Sequence, residues 1–314
     1  MKKKRSRKNN IKPIVITARD KEILARIAEY RILTTEQLHR LCFPSLSRAR
    51  KRLLQLLRHG YLKRTVKPVR MGEGSSMFLY SLTKKAMNLL PANATNLKAK
   101  PSIVLNEHEL GINYFRVCLQ LSIRELEDIS LRSWKQGKEL LMKAVEKDKG
   151  TLKRIPIIPD AYFALEQDNK VFHFFLEIDR GTTDLKRIAL KCRGYLNIWN
   201  DKIAHTQMGL RSFRVLYVTS SEKRMENMLE QLRKIKSLQS RTDIILITAA
   251  DLFSLSKPDS IFKPIWKYLD SDGNIGETGL IPATILQSSR QRAENHHCAV
   301  QNPMSTNGHP GPGG

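Results

Sequence analysis

Apolar positions recur along this chain with two periods, and they divide it into helical and extended stretches. Thr17 to Tyr30 repeats apolar residues at helical spacing, with Ile23, Leu24, Ile27 and Ala28 as the stripe. Thr17 is an N-cap, Asp20 three residues on closes a capping box, and Glu22 adds to the acidic first turn. A second, shorter helix starts at Thr34-Thr35, turns Leu38 and Leu41 inward, and is broken by Pro44 and Ser45. The third runs from Ser47 to His59, with Ala49, Leu53, Leu54, Leu56 and Leu57 as its buried side and Gly60 as its stop. Tyr61 to Val66 and Met77 to Leu82 then read as strands around a Gly-rich, basic loop, Lys67 to Ser76. Thr83 caps a short helix to Leu90, and Pro91 to Pro101 is a polar linker.

Beyond the linker, Ser102 to Leu126 reads as a long amphipathic helix and Ile129 to Trp134 as a strand. Gln136 to Lys153 is charged and poorly patterned, so a helical or irregular insertion is expected. Ile155 to Leu165 and Val171 to Arg180 are apolar, aromatic and β-branched runs around the polar turn Gln167-Asp168-Asn169-Lys170, the signature of a hairpin. A helix from Asp184 to Asn200, a strand Phe213–Thr219, a helix Glu222–Leu238 and a strand Asp243–Thr248 follow. Ala249–Phe253 and Ile261–Tyr268 are small closing elements. The expected domains are a basic disordered arm 1–16, a first domain 17–90, the linker 91–101, a second domain 102–269, and a disordered tail 270–314.

Charge changes the picture. The 314 residues hold 55 Lys and Arg against 30 Asp and Glu, a formal +25. Residues 1–100 alone hold 25 and 5, so +20 of that excess lies in the first third. Such a bias points to a polyanionic partner, most simply nucleic acid. The four cysteines, at 42, 118, 192 and 298, are widely spaced, which suggests neither a zinc site nor a disulfide framework and fits a reducing cytoplasm. The basic N-terminus has no apolar segment after it, so no secretory signal is read there, and no stretch is apolar enough to span a bilayer. His296-His297-Cys298 stands in the polar tail and reads as part of it rather than as a metal site.

Helix, helix, basic helix and a hairpin with a positive tip, over residues 17–90, is the order of a winged helix-turn-helix. That resemblance implies a third helix entering the major groove, with Arg48, Arg50, Lys51 and Arg52 as candidates for base and phosphate contact. Lys67 and Arg70 of the hairpin loop would touch phosphate or the minor groove. The alternatives are a solvated charged face or a protein-docking module.

In the hairpin of the second domain, Glu177 and Asp179 share one side of a strand, and Asp160 stands near the start of its antiparallel neighbour. Three carboxylates at one end of an apolar sheet need a cation or a hydrogen-bond network. The element order resembles the αβββαβ core of the PD-(D/E)xK restriction-endonuclease-like superfamily, within a mixed α/β chain. The resemblance implies Mg²⁺ (or Mn²⁺) on Asp160 and Glu177, with Asp179 as a third ligand or outer-shell group. The position expected to be lysine is Asp179, so Lys191 on the following helix, or Arg180, would supply the positive charge, and Glu109 on the long helix could add a carboxylate. A structural salt-bridge cluster of Glu177 and Asp179 with Arg180, Lys186 and Arg187 is the alternative.

The ordered chain also resembles the plasmid replication-relaxation proteins of mobile elements. The resemblance rests on Glu107-His108-Glu109-Leu110-Gly111-Ile112-Asn113-Tyr114-Phe115, Ile158-Pro159-Asp160-Ala161 and Glu177-Ile178-Asp179-Arg180-Gly181-Thr182, with Lys191 and Tyr195 after. It implies a role in replication or relaxation of plasmid or integrated-element DNA, other replication or relaxation proteins as partners, and either nicking or a non-catalytic platform for binding or homodimerisation. Tyr195 lies in the apolar stripe of its helix and reads as core rather than as a nucleophile.

Overall fold

A computed structural model describes residues 13–67, 77–91, 107–126, 128–148, 151–235 and 244–281. The basic arm as far as residue 12, the loop tip with Arg70, most of the linker and residues 282–314, including His296-His297-Cys298, lie outside the described residues. The fold is mixed α/β, with several helices and a seven-stranded mixed sheet. By its contacts the chain forms two compact units. The first comprises the chain up to Glu125 with Glu177–Thr182 and Phe253–Asp259; the second comprises Leu126–Leu176, Thr183–Leu252 and the chain from Ser260.

The first unit opens with α1 (Ala18–Tyr30), α2 (Thr35–Cys42) and α3 (Leu46–Arg58). Local chemistry sets their starts. The Thr17 hydroxyl accepts the Asp20 amide and the Asp20 carboxylate accepts the Thr17 amide at 2.8 Å, the expected capping box. Thr34 and Gln37 form a second box at α2. Ser45, expected only as a breaker, caps α3. In α3, Ala49, Leu53 and Leu56 are buried, whereas Leu54 and Leu57, expected inside, are half-buried.

A three-stranded antiparallel sheet follows, in the order β1 (Leu33–Thr34), β3 (Met77–Leu82), β2 (Leu62–Lys67). The two-residue β1 carries no period of its own and was not expected; it exists because Leu33 and Thr34 pair with Tyr80 and Leu79. After the short α4 (Lys84–Met87), α5 (Glu107–Glu125) packs in this unit rather than in the second domain where its sequence position put it. Its buried Phe115 meets Phe253 edge-on, ring centres 6.1 Å apart.

In the second unit the sheet order is β12 (Ile275–Thr278), β11 (Trp266–Leu269), β10 (Ile245–Ala249), β9 (Arg214–Thr219), β8 (Lys170–Asp179), β7 (Ala161–Gln167), β4 (Ser130–Lys135). β9 and β10 are parallel. Aromatic residues facing directly across strands pin the register: Phe163 stacks on Trp134 and on Phe174, with ring centres 5.5 and 4.9 Å apart. Helices α6 (Leu185–Asn200), α7 (Ile203–Met208) and α8 (Glu222–Arg233) contribute to one core with Phe175, Val215, Tyr217 and Ile247.

Three expectations are corrected by the fold. Gln136 to Lys153 is not irregular: it holds most of a hairpin, β5 (Met142–Asp148) with β6 (Thr151–Ile157), whose short alternation of Met142 and Ala144 was masked by flanking charge. Ile155 to Leu165 is not one strand, because residues up to Ile157 pair with β5 and the chain breaks at 158–160 before β7. Nor is the chain structureless from Asp270. The Asp270 carboxylate accepts the amides of Asp272 and Asn274 at 2.9 and 2.8 Å, and this turn leads into β12.

Candidate functional site

α3 places its cations by helical rotation. Arg48, Arg50 and Lys51 are exposed, and the first turn holds no acidic residue. The partial positive charge at a helix N-terminus makes the first-turn Arg48 unfavourable there, so an anionic partner would relieve it. Arg52 is different. Its Nε donates to Asp20 Oδ1 at 2.7 Å, and its guanidinium also pairs with Oδ2 of the same carboxylate. It reaches Gln55 Oε1 and the Val15 carbonyl as well, both at 2.9 Å. Grouped from sequence with its neighbours as a DNA contact, Arg52 is a strut between α3 and the start of α1. Burial by itself would raise the Asp20 carboxyl, but hydrogen bonds from Arg52 and Thr17 and the Arg52 charge outweigh it and hold it below the ordinary range.

On the hairpin, Arg64 lies over the Phe78 ring at 4.3 Å, and Val66, Met77 and Phe78 are exposed. Lys67 pairs with Glu107 at 3.4 Å, and Glu107 also pairs with Arg180. The two motifs 107–115 and 177–182 therefore meet inside the first unit. Gly111 is what lets them close: a Cβ there would stand 2.8 Å from Ile178 Cγ2. Glu109, a candidate carboxylate for catalysis, faces Arg31 at 3.5 Å.

Asn113 of the same motif is buried and donates to the carbonyls of Tyr30 and Ile32 at 3.0 and 2.8 Å. Between those carbonyls Arg31 has φ +64° and ψ −42°, and the Ile32 amide donates to Tyr30 O at 2.7 Å. This is a γ-turn of the strained, positive-φ kind, and Asn113 clamps it. Nothing local in the sequence marks that role, because both carbonyls lie some eighty residues upstream.

Of the remaining candidates, Glu177 and Asp179 close β8 and are 4% and 6% exposed. An Asp179 carboxylate oxygen accepts the Gly181 amide at 3.2 Å. Asp160 is half-buried, and its amide donates to Leu176 O at 3.0 Å. Lys191 donates from Nζ to Ile158 O at 3.1 Å, which brings it to the segment that carries Asp160. Tyr195 is fully buried and stacks with Phe175, as core. Among the described residues, no group of three or more His, Cys, Asp or Glu side chains could hold a metal ion. A three-carboxylate cage thus does not fit; Mg²⁺ held by two carboxylates, water and substrate phosphate needs only a pair.

These features define a mixed α/β protein that presents a basic helix in one unit and carries acidic strand-end residues on a seven-stranded sheet. The family model described as Replication-relaxation matches residues 24–212, more than half of the chain, and the protein belongs to that family. Comparisons with curated proteins and with solved structures gave no match. Among the described residues no helix is long and apolar enough to cross a membrane.

Proposed function

We propose that this chain binds duplex DNA of a plasmid or mobile element through α3 and acts in its replication or relaxation. The observation that carries the reading is the exposed trio Arg48, Arg50 and Lys51 on α3, with Arg48 in a first turn that holds no acid and sits at the positive end of the helix dipole. Elements α1 to β3 are read as a winged helix-turn-helix, with α3 in the major groove and the β2–β3 hairpin on the adjacent backbone. Arginine there suits guanine, whose edge offers two acceptors to one fork. The test is DNA binding by the full chain over a salt series. The combined Arg48→Ala, Arg50→Ala and Lys51→Ala variant should bind less tightly, with a log–log salt slope flatter by about 0.9 for each phosphate it no longer neutralises. Unchanged affinity and slope would remove the assignment.

A second reading is metal-dependent nicking by a restriction-endonuclease-like second domain. It is favoured by Lys191, which bonds the 158–160 segment, and by the Asp160 amide on the carbonyl of Leu176, the residue before Glu177 in β8. Asp160 and Glu177 would hold Mg²⁺ or Mn²⁺, which would supply an activated water and charge neutralisation at phosphorus. Asp179 and Lys191 would flank that pair. Supercoiled plasmid incubated with Mg²⁺ or Mn²⁺, with EDTA as control, separates this from a non-catalytic initiator or regulator whose second domain binds DNA or dimerises. An Asp160→Ala protein that nicks as fast as the wild type would end the nuclease reading.

A further inference from the structure

The second unit carries its own concentration of positive charge, apart from α3. Over its sixteen residues α6 holds Lys186, Arg187, Lys191 and Arg193 and no acidic residue. Lys186 and Arg187 are exposed in the first turn, where the helix dipole opposes cations. The Asp184 cap offsets part of that, accepting the Lys186 amide at 2.8 Å.

The β5–β6 hairpin lies along the same helix. A Cβ on Gly194 would stand 2.7 Å from Ile157 Cδ1, Asn197 donates to Val145 O at 2.9 Å, and Lys191 donates to Ile158 O. Strand pairing then sorts the hairpin's side chains by face. Met142 and Ala144, opposite Ile157 and Ile155, belong to the row packed in the core. Lys143 and Arg154 belong to the other row, on diagonal positions, because Lys143 faces Pro156 and Val145 faces Arg154. Both are exposed.

We infer that the outer face of the β5–β6 hairpin and the exposed first turn of α6 form a second docking surface, for the phosphate backbone of duplex DNA. Charge complementarity selects the occupant: cations from two elements, without intervening acids on α6, match a continuous polyanion. A backbone contact carries no sequence information, so this surface adds grip while α3 reads. The inference rests on the reading of this protein as a DNA binder, but on residues that reading does not use.

The test is the full chain titrated with random-sequence duplex over a range of KCl. Two variants are compared, Lys143→Ala with Arg154→Ala, and Lys186→Ala with Arg187→Ala. Each should keep the wild-type melting temperature, bind every duplex less tightly and flatten the salt slope by about one to two. The ratio between preferred and random sequence should not move. The α3 triple variant is measured alongside. If it loses binding while both new variants match wild type, the inference falls and the α3 reading stands. If the new variants lose binding and the α3 variant does not, the inference stands and the α3 reading falls. A loss seen on poly-glutamate but not on DNA would also overturn it.

Discussion

Arg50 and Arg52 stand two residues apart on one helix, and replacing each with alanine should give opposite phenotypes. Asp20 is 1% exposed and holds Arg52 through both carboxylate oxygens, while the Arg52 side chain is 26% exposed. Arg52→Ala leaves that carboxylate with only the Thr17 amide and hydroxyl. Breaking a fully buried pair costs about 3–5 kcal/mol, and water reaching Arg52 lowers that to roughly 2–3. Losing the Gln55 and Val15 bonds adds a few tenths, since net hydrogen-bond contributions at a partly exposed site are small. In a domain stable by about 5–15 kcal/mol this is a large fraction, and the melting temperature should fall by roughly 10 °C or more. Arg52→Lys keeps the charge but not the fork and should fall between. Arg50→Ala removes an exposed side chain, so stability should stay within about 0.5 kcal/mol while the salt slope of DNA binding flattens. Calorimetry and anisotropy on the same preparations decide. An Arg52→Ala protein that melts like wild type yet binds DNA poorly would refute the reasoning.

Three further outcomes are expected at the 107–115 motif and the Arg31 turn it clamps, and one in acid. Arg31→Gly should raise stability by about 0.5–1 kcal/mol, because glycine removes the positive-φ strain and the exposed pair with Glu109 contributes little. Asn113→Ala should cost about 1–3 kcal/mol by taking a donor from both carbonyls, of which Tyr30 keeps the Ile32 amide, and less in the Arg31→Gly background, which a double-mutant cycle measures. Gly111→Ala should destabilise by about 1–2 kcal/mol net of helix propensity, since Ile178 Cγ2 sits on a branched Cβ and cannot swing away; urea melts with and without Ile178→Ala check whether that clash is the cause. Acid should act through Asp20. Its folded value lies below the ordinary 3.8, so its contribution is complete above that pH and is lost as pH falls through the lower value. Urea midpoints measured downward from pH 5 should therefore drop more steeply in wild type than in Arg52→Ala.

Local chemistry alone determined much of the first unit. Thr17 with Asp20, the hydroxyl at Thr34 and the stop at Gly60 act within one turn, so helix starts and ends could be read from neighbours three residues apart. The β2–β3 pair and the 170–179 strand were legible for the same reason, being apolar or alternating runs with turn residues between them. Long-range partners decided the rest. Arg48, Arg50, Lys51 and Arg52 are alike in sequence, and only the packing of α1 against α3 brings a carboxylate 32 residues away to the last of them. Lys67 and Glu109 read as available in sequence, but the fold sets Glu107 and Arg31 beside them. The β5–β6 hairpin hid among charges because its inner row is short, and it becomes visible only against the α6 surface that buries it. Periodicity and caps are properties of a segment, whereas the partner of a charge is a property of the fold.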